Sequence, residues 1–241
     1  MNVDDTSILL ATQGTSHGAN LFAYCENNPV NMVDYTGYWG KDVHQGAFDE
    51  EPSGKKYEYR VLYWNNSYIG FVSYNSYRGE YYGTTFWALQ VGFDVSLAKI
   101  LGIFCNYVDT IFSPCIKSTQ GWHFNTSASS DLVDSRITIA TFMLLAALTY
   151  FDKATLQIDA FKKRDLTVCG LECLGFALHP IQDYYAHTDS FCYTNEFGLK
   201  SHLQSPYTDS AAKRWGQLSK ARTASIQILR EIYKQYKYVL W

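Results

Sequence analysis

Three metal-donating side chains stand four residues apart in Leu178-His179-Pro180-Ile181-Gln182-Asp183-Tyr184-Tyr185-Ala186-His187, and no other stretch constrains the chain as tightly. On an α-helix, positions four apart advance by about 40° and roughly 6 Å, so His179, Asp183 and His187 form one slightly slanting row on a single face. Two imidazoles and a carboxylate are the donor types that suit zinc, and the central carboxylate can serve an ion on either side or bridge two. A single buried His is more often hydrogen-bonded than metal-bound. Three donors in register, flanked by the apolar Leu174, Leu178 and Ile181, reverse that balance.

A chain of 241 residues with 47% hydrophobic content can bury a core without covalent staples. The net charge of −3 and pI near 6.0 leave no electrostatic footprint for duplex nucleic acid, which needs a basic face. Six cysteines (Cys25, Cys105, Cys115, Cys169, Cys173 and Cys192) include no C-x-x-C pair, so they read as buried thiols first and disulfides second. Cys169 and Cys173 lie one turn apart on the His/Asp helix, where packing is favoured over ligation. The opening Met1-Asn-Val-Asp-Asp-Thr-Ser-Ile-Leu-Leu-Ala carries acids where a signal peptide carries bases, and it reads as no targeting segment. The longest apolar run, Ile137 to Phe151, falls short of the roughly 20 residues that span a bilayer and is read as a core helix.

Residues 1 to 19 are polar and aperiodic, an irregular tail. Two short strand-like pieces follow, joined by an Asn-Asn-Pro turn and closed by Asp34-Tyr-Thr-Gly37. This stretch, Asn20-Leu-Phe-Ala-Tyr-Cys-Glu-Asn-Asn-Pro-Val-Asn-Met-Val-Asp34-Tyr-Thr-Gly37, resembles the end of the core in RHS/YD-repeat proteins, usually written N-L-Y-x-Y-x-x-N-N-P-x-N-x-x-D-P-x-G, with Tyr35 in place of the Pro. The resemblance implies that residues 1–37 end an RHS core and 38–241 are its C-terminal payload. In that family the payload is often a toxin, exported as part of the larger protein and paired with an immunity protein; without that context the chain would be cytoplasmic.

Residues 51 to 93 are aromatic and loop-like, with a β-hairpin expected around Asn65-Asn66-Ser67 between Lys56–Tyr63 and Tyr68–Tyr74. The hairpin can be a packed flap or a lid that touches substrate or lipid. Helical periodicity then takes over. Asp94 caps a helix with Ala98, Leu101, Cys105 and Val108 on its apolar face; Ser130-Asp131 caps another to about Phe151; a third covers Ala154 to Lys162; and Leu166 to Thr188 carries the His/Asp row. Gly170 and Gly175 within that helix imply close packing against a neighbour. A last helix, capped by Thr208-Asp209, runs to the end with Trp215, Leu218, Ala221, Ile228, Leu229 and Ile232 on its apolar side. The fold class expected is mainly α, with a short β-hairpin insertion and an irregular N-terminal tail.

Six histidines are present: His17 in the polar tail, then His44, His123, His179, His187 and His202. The order of a His near the domain start, an Asp ending a helix, an isolated His, H-x-x-x-D-x-x-x-H on a helix and a further His resembles the zinc-dependent phospholipase C and single-strand-specific zinc nuclease superfamily. That likeness spans roughly residues 39 to 240 and implies a helical bundle with up to three Zn2+ ions. It places His44 on one zinc and Asp109, His123 and His179 on another, with Asp183 bridging these two and His187 with His202 on the third. The family's Glu one turn after the last His corresponds to Pro206, with Asp209 the nearest carboxylate, and the family's N-terminal Trp corresponds to Trp39 if the chain is cut after Tyr38.

Such a centre implies phosphodiester hydrolysis, because zinc lowers the pKa of bound water to about 7 and neutralises phosphoryl oxygens. Asp109 and Asp183 are the catalytic carboxylates in this reading, Asp109 orienting the water or accepting its proton. Phospholipid head groups are the first substrate class, with aromatic residues between 57 and 87 meeting a membrane surface. Single-stranded nucleic acid stacked on those aromatics is the second. A non-catalytic helical module of an RHS shell is the alternative of a different kind.

Overall fold

The computed structural model describes residues 40–52, 58–112, 122, 126–127, 135–187, 193–194 and 215–241. The chain divides into two compact units, Met1–Tyr35 and Thr36–Trp241, and only the second contains described residues. These are mostly helical, with a small antiparallel sheet.

A short helix α1 (Gly40–His44) leads into β1 (Ala47–Phe48). Next come β2 (Glu58–Trp64) and β3 (Ser67–Asn75), which form the expected hairpin. Asn65 and Asn66 both adopt positive φ, 48° and 65°, the two-residue turn that matches strand twist and suits Asn. β3 pairs with β2 on one side, and on the other with β1 and β4 (Glu80–Tyr81), in registers such as Arg60↔Val72, Ala47↔Val72 and Tyr74↔Tyr81. The sheet lies on the helices through Ile69 and Val72, both fully buried, and through Trp64, which meets Phe86 edge to face. The hairpin is therefore a packed flap on one face.

Helix α2 (Thr84–Val91) was not expected within the aromatic stretch. Its first six residues, Thr84 to Leu89, are all buried and only its last turn, at Gln90, meets solvent, so it carries no amphipathic period to read. Helix α3 (Val95–Ile111) starts at Asp94, whose carboxylate accepts from Ser96 N at 2.8 Å and from the Ser96 hydroxyl; the hydroxyl chiefly holds the carboxyl below its usual range, against burial and with help from the backbone amides of Ser96, Leu97 and Val95. Ala98, Leu101, Cys105 and Val108 are fully buried, as the spacing anticipates.

Helix α4 (Ser135–Thr155) continues past Phe151, and no separate helix covers Ala154 to Lys162. The chain turns at Leu156–Asp159 instead, and Asp159 caps α5 (Ala160–His187) by accepting from the backbone of Phe161 and Lys162 at 2.9 and 3.0 Å. That cap starts the His/Asp helix six residues before Leu166. Helix α6 (Trp215–Leu240) buries Leu218, Ala221, Leu229 and Ile232, with Ile228 partly covered; its expected cap at Thr208-Asp209 lies outside the described residues, and the side chain of Trp215 is not among those described. Two short strands, β5 (Thr126–Ser127) and β6 (Tyr193–Thr194), pair in parallel.

Helix α5 packs against α3, α4 and α6. Its glycines set that geometry. A Cβ on Gly170 would stand 2.4 Å from the Phe151 ring of α4, and one on Gly175 2.7 Å from Cys105 N of α3. The α3 backbone can therefore approach α5 closely enough for its carbonyls to reach the side chains of α5. Cys105, Cys169 and Cys173 are buried thiols, as the sequence reading expects, while Cys25, Cys115 and Cys192 lie outside the described residues; no described helix is long and apolar enough to cross a membrane.

Candidate metal centre

His44, Asp109, His179 and Asp183 come from three helices and meet in the interior. α5 contributes His179 and Asp183, one turn apart and fully buried; α3 contributes Asp109 near its end, and α1 contributes His44, its last residue. Two glycines allow α1 to come this close. Gly46 and Gly83 have φ of +80° and +103°, and a Cβ on either would stand under 3 Å from the other's Cα. Asp42 anchors the same turn of α1 by accepting from Tyr82 Oη at 3.2 Å.

The distances are short enough for these atoms to share a proton or a cation. Asp183 offers one oxygen to each imidazole: Oδ1 lies 3.2 Å from His44 Nε2, and Oδ2 lies 3.2 Å from His179 Nε2. Asp109 Oδ1 stands 3.4 Å from His179 Nε2 on another side. Two donors held at about 2.1 Å from one tetrahedral zinc are separated by roughly 3.4 Å, so these spacings match the edges of a coordination shell. The two imidazole rings lie 4.0 Å apart, centroid to centroid.

The far nitrogens are already engaged, which leaves the near ones for a cation. His179 Nδ1 lies 2.8 Å from the Cys105 carbonyl, which can only accept, so Nδ1 carries the proton and Nε2 faces the carboxylates. His44 Nδ1 lies 2.9 Å from Gln182 Oε1. Gln182 is held in that orientation because its amide nitrogen donates to Thr84 Oγ1 at 2.8 Å and Ser225 Oγ at 3.3 Å. A neutral imidazole at either position aims a lone pair at a carboxylate, so the cluster requires a positive charge, supplied by a proton or a metal. His44 Nε2 lies 3.2 Å from Asp183 Oδ1, where a protonated ring gains both from a hydrogen bond to that carboxylate and from its charge. Burial alone would push the His44 pKa down, but Asp183, Cys105 and Asp109 outweigh it and hold the imidazole well above its ordinary value.

Cys105 is the neighbour that sequence reasoning treated only as packing. The donor atoms of His44, Cys105 and His179 all lie within 4.8 Å of one another, and this buried group could hold a metal ion. Burial pushes the Cys105 thiol up, and it donates to the same Gln182 oxygen that receives His44 Nδ1. The sulfur also accepts from Thr84 Oγ1 at 3.6 Å and lies within bonding reach of His44, so Cys105 belongs to the same buried cluster as the two imidazoles. Gln182 was visible inside the helical motif but received no role, because nothing in the sequence brings Thr84, Ser225 and His44 together around it.

Of the remaining residues singled out from sequence, His187 closes α5, but its side chain is not among those described. His123, His202, Asp209 and Trp39 lie outside the described residues, as does His17. Asp109 sits near the end of its helix as anticipated, with its side chain 5% exposed.

The chain matches no known protein-family profile, no curated protein and no solved structure.

Truncating Gln182 should test the supporting shell. Gln182→Ala leaves a buried His44 Nδ1 without its acceptor and frees the ring to turn, so if the cluster holds a zinc ion its affinity is expected to fall about 10- to 100-fold with helix content unchanged. Titration with a competing zinc chelator measures this; an unchanged affinity would remove Gln182 from the centre.

Proposed function

We propose that the chain is a zinc-dependent phosphodiesterase of the phospholipase C type, a helical bundle acting on phospholipid head groups as the C-terminal toxin payload of an RHS protein. The observation that carries the reading is the convergence of His44, Asp109, His179 and Asp183, distant in sequence, on one buried cluster with their donor atoms 3.2 to 3.4 Å apart. The RHS-like segment at residues 20–37 and the order of histidines and acids along the chain support it, as resemblances.

His44, His179, Asp109 and Asp183 would hold the metal. Zinc bound there supplies a water of pKa about 7 and a positive field for the phosphoryl oxygens. The chain's own groups do the rest. Asp183, with an oxygen toward each imidazole, would serve a metal held with either ring. Asp109 lies on the other side of His179 and is the carboxylate placed to orient a water or take its proton. The Cys105 carbonyl and Gln182 fix the two rings, and the apolar shell of Leu101, Val108, Leu174 and Leu178 lowers the local dielectric, which strengthens every charge interaction inside.

Protein purified without added metal should contain zinc, and it should release phosphorylcholine from lecithin but not cleave single-stranded DNA. Cleavage of DNA with no action on lecithin would move the substrate to nucleic acid. Absence of both activities from a zinc-loaded chain would defeat the enzymatic reading.

A further inference from the structure

Ile137 to Phe151 contains no charged residue, and its expected role as a core helix is only half fulfilled. Met143, Ala147, Tyr150 and Phe151 of α4 are buried, but Phe142 and Leu145 on the opposite side are 57% and 58% exposed. The apolar surface continues around the turn into α5, where Leu156, Ile158 and Phe161 are 80%, 101% and 82% exposed. Phe142 and Leu145 share the outer face of α4, Thr149 and Asp152 follow them on that face, and Leu156 opens the turn beyond the helix end. Scattered exposed apolar residues are ordinary; five large ones along one stripe and the adjoining turn are not.

Cations flank this surface at the turn. Lys153, Lys162, Lys163 and Arg164 stand against Asp152, Asp159 and Asp165, four cations to three carboxylates, a local surplus of one in a chain whose net charge is −3. Asp152 accepts from Tyr236 Oη at 2.8 Å, Asp159 caps α5, and Lys153 lies over the Tyr150 ring, which leaves the three cations of α5 as the group turned to the surroundings. Apolar side chains beside long, flexible cations are complementary to a lipid surface carrying negative head groups, where the cations meet the head groups and the apolar groups enter the interface.

We propose that the outer face of α4 and the α4–α5 turn dock on an anionic lipid bilayer, with Phe142, Leu145, Leu156, Ile158 and Phe161 entering the interface and Lys162, Lys163 and Arg164 meeting the head groups. The antiparallel packing of α4 on α5 sets what this does for the metal centre. Gly170 packs on Phe151, and Phe142 lies nine residues before Phe151 as His179 lies nine after Gly170, so Phe142 is level with the centre along the helices. Docking through α4 thus lays the long helices along the membrane and keeps the centre about one helix layer, 8 to 10 Å, behind the docked helix axis. This moves the membrane contact from the aromatic hairpin to α4. It gives the proposed phospholipid reaction its surface but does not depend on that reaction.

The full chain is mixed with sucrose-loaded vesicles of phosphatidylcholine alone, or of phosphatidylcholine and phosphatidylglycerol in equal parts, and sedimented. Binding to the mixed vesicles is expected at low salt, weakening as salt is raised, and it should be at least about tenfold weaker on phosphatidylcholine alone. Leu156→Ser, Ile158→Asp and Phe161→Ser combined alter exposed positions only and should lower binding at least about tenfold with unchanged circular dichroism. Lys162→Glu with Lys163→Glu should remove the preference for the anionic vesicles. Asp183→Asn should bind as the parent does, so that loss of hydrolysis and loss of docking are read separately. No binding to mixed vesicles, or equal binding by the triple variant, would overturn the proposal. So would a dimer of the parent chain that the triple substitution splits in the absence of lipid, which would assign the face to a second copy.

Discussion

Asp183→Asn is expected to abolish metal retention and phosphodiester hydrolysis together, with activity at least about a hundredfold lower and zinc content falling in proportion. The reason is local. Asp183 places one oxygen 3.2 Å from His44 and the other 3.2 Å from His179, and it is fully buried. Asparagine keeps the shape but removes the negative charge, and it replaces one of the two facing oxygens with an amide that donates hydrogen bonds and cannot bind a cation. Two imidazoles whose outer nitrogens are fixed by Gln182 and the Cys105 carbonyl would then face a neutral group. Zinc content by atomic emission, set beside lecithin hydrolysis and circular dichroism, gives the result. A folded Asp183→Asn chain that keeps both zinc and activity would place the metal elsewhere.

The second large effect concerns stability against pH and arises from Glu172, two turns before His179 on the same helix. Its side chain is 3% exposed, its Oε2 makes no hydrogen bond, and burial pushes its pKa from 4.5 up to about 8. A carboxyl that binds its proton more tightly folded than unfolded stabilises nothing as an anion. Below pH about 4.5 both states are protonated and Glu172 is neutral in its effect. Between 4.5 and about 8 the unfolded chain ionises while the folded one does not, so stability falls as pH rises, and above about 8 the loss is complete. The span of the two pKa values corresponds to roughly 5 kcal/mol. Glu172→Gln carries no proton to lose and should flatten this part of the profile, raising the melting temperature at pH 8 relative to the parent but not at pH 5. Parallel profiles for the two chains between pH 5 and 9 would show that Glu172 is ionised in the fold.

The parts of the fold legible in the sequence are those where one residue's local chemistry suffices. Asp94 caps α3, paired Asn65-Asn66 turns the hairpin, and Gly170 and Gly175 announce the close approach of α4 and α3, because each answers to a backbone requirement of its own neighbourhood. Helix α2 was not legible, since Thr84 to Leu89 are all buried and a helix that meets solvent only at its last turn has no period to read. The helical run beyond Phe151 was misjudged for a related reason. Asp159 rather than an earlier residue supplies the cap, and nothing local distinguishes one exposed Asp from another. At the centre, the row on α5 was visible from spacing alone. That His44 and Asp109 join it followed only from motif order, and the supporting roles of Gln182, Thr84, Ser225 and the Cys105 carbonyl depend on contacts between residues 43 to 138 positions apart, which no local pattern encodes.

The most direct measurement is an anomalous difference map at the zinc absorption edge from crystals of the full chain. Density is expected beside Asp183, within about 2.0 to 2.2 Å of its oxygens and of the Nε2 atoms of His44 and His179. A map without a peak there, with both imidazoles hydrogen-bonded to Asp109 and Asp183 and no ion between them, would contradict the account.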